Sequence, residues 1–128
     1  MSQERAKDWL EQAQNDAEWA EHTLAGGYYA QACFIAQQFA EKALKALLYQ
    51  RNASAIFTHS LSKMLKALAL NGELQEAASI LDLYYVGARY PDVLVEGTPS
   101  GTFTERQAVH AIALARRILA QVEAEVTP

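Results

Sequence analysis

The amino-acid sequence predicts an all-α fold, an up-down bundle of about five helices. Three observations predict it. Apolar residues recur at steps of three and four over long stretches, and glycines and capping residues divide those stretches into segments. No alternating pattern of useful length interrupts them; "DVLVEG", residues 92–97, is the nearest and is short.

The first helix carries Ala6, Trp9, Leu10, Ala13, Ala17, Ala20 and Leu24 on one face and ends at Gly26-Gly27. The second runs from about Tyr28 to Gln50. Its Ala36, Phe39, Ala40, Ala43, Leu44, Ala46, Leu47 and Leu48 cover an apolar arc of roughly 200° at 100° per residue. That is wider than one neighbour covers, so this helix packs on several neighbours or on a second chain, and a homodimer is expected. "RNASAIFT", residues 51–58, reads as a loop, with Thr58 as N-cap of a third helix built on Leu61, Met64, Leu65 and Leu68 and closed by Asn71-Gly72. The fourth starts at Glu73 and turns Leu74, Ala77, Ala78, Leu81 and Tyr85 inward. The 18 residues 86–103 then hold three glycines and two prolines, long for a structureless connection, and such loops carry function or move. Thr104 and Gln107 form a capping box for a fifth helix to about Glu125, burying Val109, Ile112, Ala115, Ile118, Leu119 and Val122.

The 128 residues make one domain, 1–128. With 51% hydrophobic and 20% charged residues the chain folds rather than staying disordered. A formal net charge of -4 confines any RNA contact to a local patch, though a nucleotide ligand stays open. No run approaches a membrane span and the charged N-terminus is unlike a secretory signal, so a cytoplasmic protein is expected. Cys33 is the sole cysteine and falls in the apolar arc, which makes it a packing residue. His22 stands apart, no HExxH or EF-hand pattern exists and no glycine-rich phosphate loop occurs, so no metal and no cofactor are expected.

Three features carry candidate chemistry. Gln38, Glu41, Lys42 and Lys45 form a polar line on the second helix, with Phe34 before it and Tyr49 after it. It reads either as a solvated face steadied by Glu41 and Lys45, or as a groove where Lys42 and Lys45 meet phosphate and Tyr49 stacks a base. His59, in the first turn of the predicted third helix, is either a base or hydrogen-bond donor, or a ring packed on Phe57 or the next helix. In "ARYPD", residues 88–92, Pro91 forces Tyr90 to be extended and frees the Arg89 fork for a phosphate or for Asp92. Up-down connectivity brings Lys45, Tyr49, His59, Arg89, Tyr90 and Asp92 to one end of the bundle.

The segments "YYAQACFIAQQFAEKALKALLYQ", "THSL" at 58–61 and "ARYPD", in that order, resemble the HEPN domain family of small helical prokaryotic proteins. The resemblance implies a helical bundle that often dimerises and often accompanies a minimal nucleotidyltransferase. It also implies nucleotide binding, or RNA cleavage in toxin-antitoxin pairs, and it marks Gln38, Glu41, Lys42, Lys45, His59 and Arg89. The family's ribonucleases place a histidine after an arginine with four to six residues between. Here Arg51 reaches His59 with seven between and Arg106 reaches His110 with three, so the motif is absent. The expectation is a non-catalytic partner. The alternative is an atypical metal-independent endoribonuclease with His59 as base and Arg51 or Arg89 as phosphate clamp.

Overall fold

A computed structural model describes residues 2–52, 58–70 and 72–126. Four helices hold the core: α1 (Ser2–Ala25), α2 (Tyr29–Gln50), α4 (Glu73–Asp82) and α7 (Glu105–Glu125). A short α3 (Leu61–Ala67) and the single turns α5 (Tyr84–Gly87) and α6 (Pro99–Thr102) complete the chain, with a 3-10 turn at Pro91–Val93. The described residues include no strand.

Helix α2 is the axis of the molecule. It packs against α1, α7, α3, α4, α5 and α6, and fourteen of its 22 residues are buried within this one chain. Its wide apolar arc is therefore answered by several neighbours, and it supplies no argument for a second copy. Ala6, Ala13, Ala17 and Ala20 of α1 and Ala32, Ala36, Ala40 and Ala43 of α2 are all buried, and α1 packs on α2. Small side chains let two backbones approach closely. Phe39, Leu44, Leu47, Met64, Leu65, Leu81 and Ile118 are among the largest fully buried side chains of the core.

Local chemistry sets the boundaries, and it moves several of them from where the sequence pattern puts them. Gly27, at φ +85, turns the chain after α1 as expected. Helix α3 is capped by Ser60, which accepts from the Lys63 N–H, while Thr58 accepts from the Ser60 N–H one step earlier. Its C-terminus closes at Ala69, φ +57, where the Leu70 N–H reaches the Leu65 carbonyl in a Schellman-type turn. Asn71 lies outside the described residues, and Gly72, φ +70, begins α4 instead of ending α3. The capping box of Thr104 and Gln107 forms as expected, but Val109 is half-exposed and Ala108 and Ala111 take the inward positions. The buried stripe of α7 starts one residue earlier than its first β-branched side chain suggests.

Residues 86–103 fold into short turns. Pro91 opens the 3-10 turn after an extended Tyr90, and Thr98 caps α6 by accepting from the Gly101 N–H. Cys33 is fully buried, and burial pushes its thiol up to about 12. Burial also raises Tyr84, with a smaller contribution from Cys33. An acid held neutral in the folded state favours folding below its unfolded value of 9.0 and loses that contribution as pH rises toward about 12. Cys33 should accordingly resist a thiol reagent at pH 8 in the native protein and react fully in denaturant; Ellman assays in both states check this.

Candidate functional site

The polar line of α2 is organised by one buried carboxylate. Glu41 is 4% exposed, and three groups converge on it. Lys45 Nζ lies 3.2 Å from Oε2, His59 Nδ1 lies 3.1 Å from Oε1, and Gln37 Nε2 donates to Oε1 at 3.2 Å. A charge taken out of water needs such partners, or its desolvation cost is unmet. Gln37, itself fully buried, uses its second N–H to hold the His59 backbone carbonyl at 3.0 Å and accepts from Gln38 Nε2 at 2.7 Å. His59 is thus fixed to α2 at both its carbonyl and its ring. With the carboxylate as acceptor, Nδ1 carries the proton and Nε2 is left to face outward.

His59 is not inside α3 but just before its cap. That position is held from the other side by Asp82 at the end of α4. Its carboxylate accepts from the Leu61 N–H at 2.7 Å, the Ser62 N–H at 3.3 Å and the Ser60 hydroxyl at 3.2 Å. The residues of "THSL" therefore each have work in the fold: Thr58 and Ser60 cap, His59 meets Glu41, and Leu61 is buried.

Rings continue the line in both directions. The imidazole of His59 stacks on Tyr85 with centroids 4.3 Å apart. Arg89 sits over the same ring at 4.7 Å, over Phe34 at 4.3 Å and over Tyr90 at 5.1 Å, and its Nε donates to the Tyr85 carbonyl at 2.7 Å. At the other end Lys45 lies 5.2 Å from the Trp9 centroid, and Trp9 stacks on Tyr49 at 5.8 Å. The result is a ridge running along α2 from Phe34 to Tyr49, about 22 Å at 1.5 Å per residue. This differs from the expected hollow at one bundle end. The segment before α3 folds back along α2 because Gln37 and Glu41 capture His59, and α5 carries Arg89 toward the start of α2 rather than its end.

Of the residues singled out by sequence, Glu41, Lys45, His59 and Arg89 are brought together, with Gln38 linked through Gln37 and Tyr90 beside Arg89. Lys42 points elsewhere, into an ion pair with Asp16 of α1, whose carboxylate also accepts from Gln12. Tyr49 belongs to the Trp9 end. Asp92 is exposed and, among the described residues, makes no ion pair with Arg89. Arg51 is committed to the Leu68 carbonyl and to Glu125, not to His59. Arg106 and His110 are exposed on α7, and Phe57 lies outside the described residues. Sequence reading passes over Gln37, Trp9, Tyr85, Asp16 and Asp82 as site-building residues. Only Gln37 leaves a signal, a polar side chain inside an apolar arc one turn before Glu41.

Among the described residues no group of histidine, cysteine and acidic side chains is arranged to hold a metal ion, and no helix is long and apolar enough to cross a membrane. Comparison with known proteins identifies the scaffold. The family model of the HEPN domain matches residues 6–125. The crystal structure of TT1696 from Thermus thermophilus is 43% identical, with TM-score 0.85, over 94% of this chain and 97% of that one. ST0689, an archaeal HEPN homologue, is 41% identical, with TM-score 0.83, over 96% and 98%. An HEPN domain protein of Thermotoga maritima, tm0613, is 30% identical, with TM-score 0.73, over 91% and 95%. No curated protein matches.

Replacing Glu41 by Gln should lower stability by about 1–3 kcal/mol, because the charge-assisted bonds from Lys45 and His59 are weakened in a buried place. Asp82→Ala should cost about 1–2 kcal/mol by uncapping α3. Glu123→Gln, at an exposed pair with Gln14, should stay within about 0.5 kcal/mol. Urea midpoints at constant slope measure all three.

Proposed function

The chain belongs to the HEPN domain family, and we propose that it is a non-catalytic nucleotide-binding partner that holds its ligand on the Lys45–Glu41–His59–Arg89 ridge. The observation that carries this reading is the state of Arg89. Lys42 is neutralised by Asp16 and Lys45 by Glu41, whereas Arg89 has no carboxylate among the described residues. It is held instead among three rings, which orient the guanidinium and leave its Nη groups for an acceptor. Beside it, the half-exposed His59 offers Nε2 and a ring surface. Oriented cation, imidazole and aromatic faces in one strip suit a phosphate linked to a base.

The family resemblance supplies the rest of the reading: a homodimer working beside a nucleotidyltransferase, in a toxin-antitoxin type of pair. Leu83, Val86, Tyr90 and Val93 give exposed apolar surface on the α4 to 3-10 side for such contacts. The ribonuclease alternative keeps a single support, the proximity of His59 and Arg89 to one Tyr85 ring. Against it stand the commitment of Arg51 and the missing arginine-histidine spacing.

Calorimetric titration of nucleotides should give saturable binding that Arg89→Ala weakens about 10- to 100-fold, the worth of one or two hydrogen bonds to a charged group. Absence of binding at millimolar ligand contradicts the reading. Incubated with total RNA, the wild type and His59→Ala should both leave it intact; cleavage lost with the histidine would establish the alternative.

A further inference from the structure

Beyond the ridge, Arg89 faces a cleft of about 430 Å³ between α2, the 3-10 turn and α6, lined by Phe34, Arg89, Pro91, Thr98, Pro99 and Ser100 among others. Its chemistry differs from that of two other clefts. Between α4 and α7 the cation Arg117 is met by Glu73 at 2.9 Å, and beside Trp9 Arg5 is met by Asp8 at 3.0 Å. Among the described residues no carboxylate lines the Arg89 cleft.

Two hydroxyls that line the same cleft complete a donor set. Thr98 Oγ1 accepts from the Gly101 N–H at 3.1 Å and lies 3.2 Å from Ser100 Oγ. Whichever of the two hydroxyls donates to the other, one O–H of the pair remains without an acceptor among the described residues. Arg89 contributes its Nη groups, since Nε is already used on the Tyr85 carbonyl. Donors without acceptors, around a cation that no carboxylate neutralises among the described residues, select a compact anion with several acceptor oxygens.

We propose that this cleft seats the terminal phosphate monoester of a nucleotide, an inference that rests on nucleotide binding at the ridge and adds which phosphate is read and where. A volume near the lower end of small-molecule sites suits a ligand that ends there. His59, on the same Tyr85 ring as Arg89, is placed for the nucleoside part.

The test is a calorimetric comparison, on the full chain, of the four nucleoside 5′-monophosphates with their nucleosides and their phosphate methyl esters. The best monophosphate should bind about tenfold or more tightly than its nucleoside and its methyl ester. Ser100→Asp, which puts a carboxylate into the cleft at an exposed position, should abolish that advantage while leaving the nucleoside's affinity and the melting temperature unchanged. Equal affinity of monophosphate and nucleoside, equal affinity of monophosphate and methyl ester, or an advantage that survives Ser100→Asp overturns the cleft assignment alone. Failure of every monophosphate and nucleoside to bind removes the ridge reading as well.

Discussion

A single carboxylate in the wall of the central helix constrains how this molecule can be assembled. Glu41 faces away from water, so the fold has to deliver partners to it, and the partners come from different places in the chain. Lys45 and Gln37 arrive from α2 itself, one turn to either side. His59 arrives from the segment before α3, which has to fold back to reach it. Asp82 then locks that segment from α4, so two acidic residues on different helices hold one short turn between them. A buried charge is a poor source of net stability and is costly when left without partners, and here the partners include the imidazole laid along α2.

The position of α2 follows from the same logic of burial. A helix apolar over more than half its circumference must be surrounded, and six elements of the same chain surround this one. Alanines, leucines and Phe39 of α2 are buried alike among α1, α3, α4 and α7. Glu41 and Gln37 lie where the His59 segment folds back over the helix, and Lys45 and the rings flank that place, which is why they share one ridge.

Much of the fold is legible in the sequence because its signals are local. The long helices announce themselves through period, Gly26-Gly27 and the Thr104 capping box act within a few residues, and the structure keeps both. Where neighbouring residues offer equivalent chemistry, local reading chooses wrongly. Thr58 and Ser60 are both good caps, and the choice of Ser60 depends on Asp82, more than twenty residues away. Val109 looks buried because it is β-branched, but the buried phase of α7 runs through Ala111, Ile112 and Ala115. The candidate site is legible in its members on α2 and in Arg89, and less so in its support. Gln37, Asp16 and Trp9 act through partners on other elements, and no spacing rule connects them. Lys42 shows the converse: spacing places it on the polar line, yet a carboxylate on α1 claims it.

The claim on which the account turns is that Glu41 fixes the His59 ring with Nδ1 protonated and Nε2 turned outward beside Arg89. Long-range proton–nitrogen NMR of the ring, recorded where the imidazole is neutral, reads that tautomer directly. An Nδ1–H ring is expected in the wild type and a mixture of tautomers in Glu41→Gln. An Nε2–H ring in the wild type, or the same spectrum in both proteins, would contradict it.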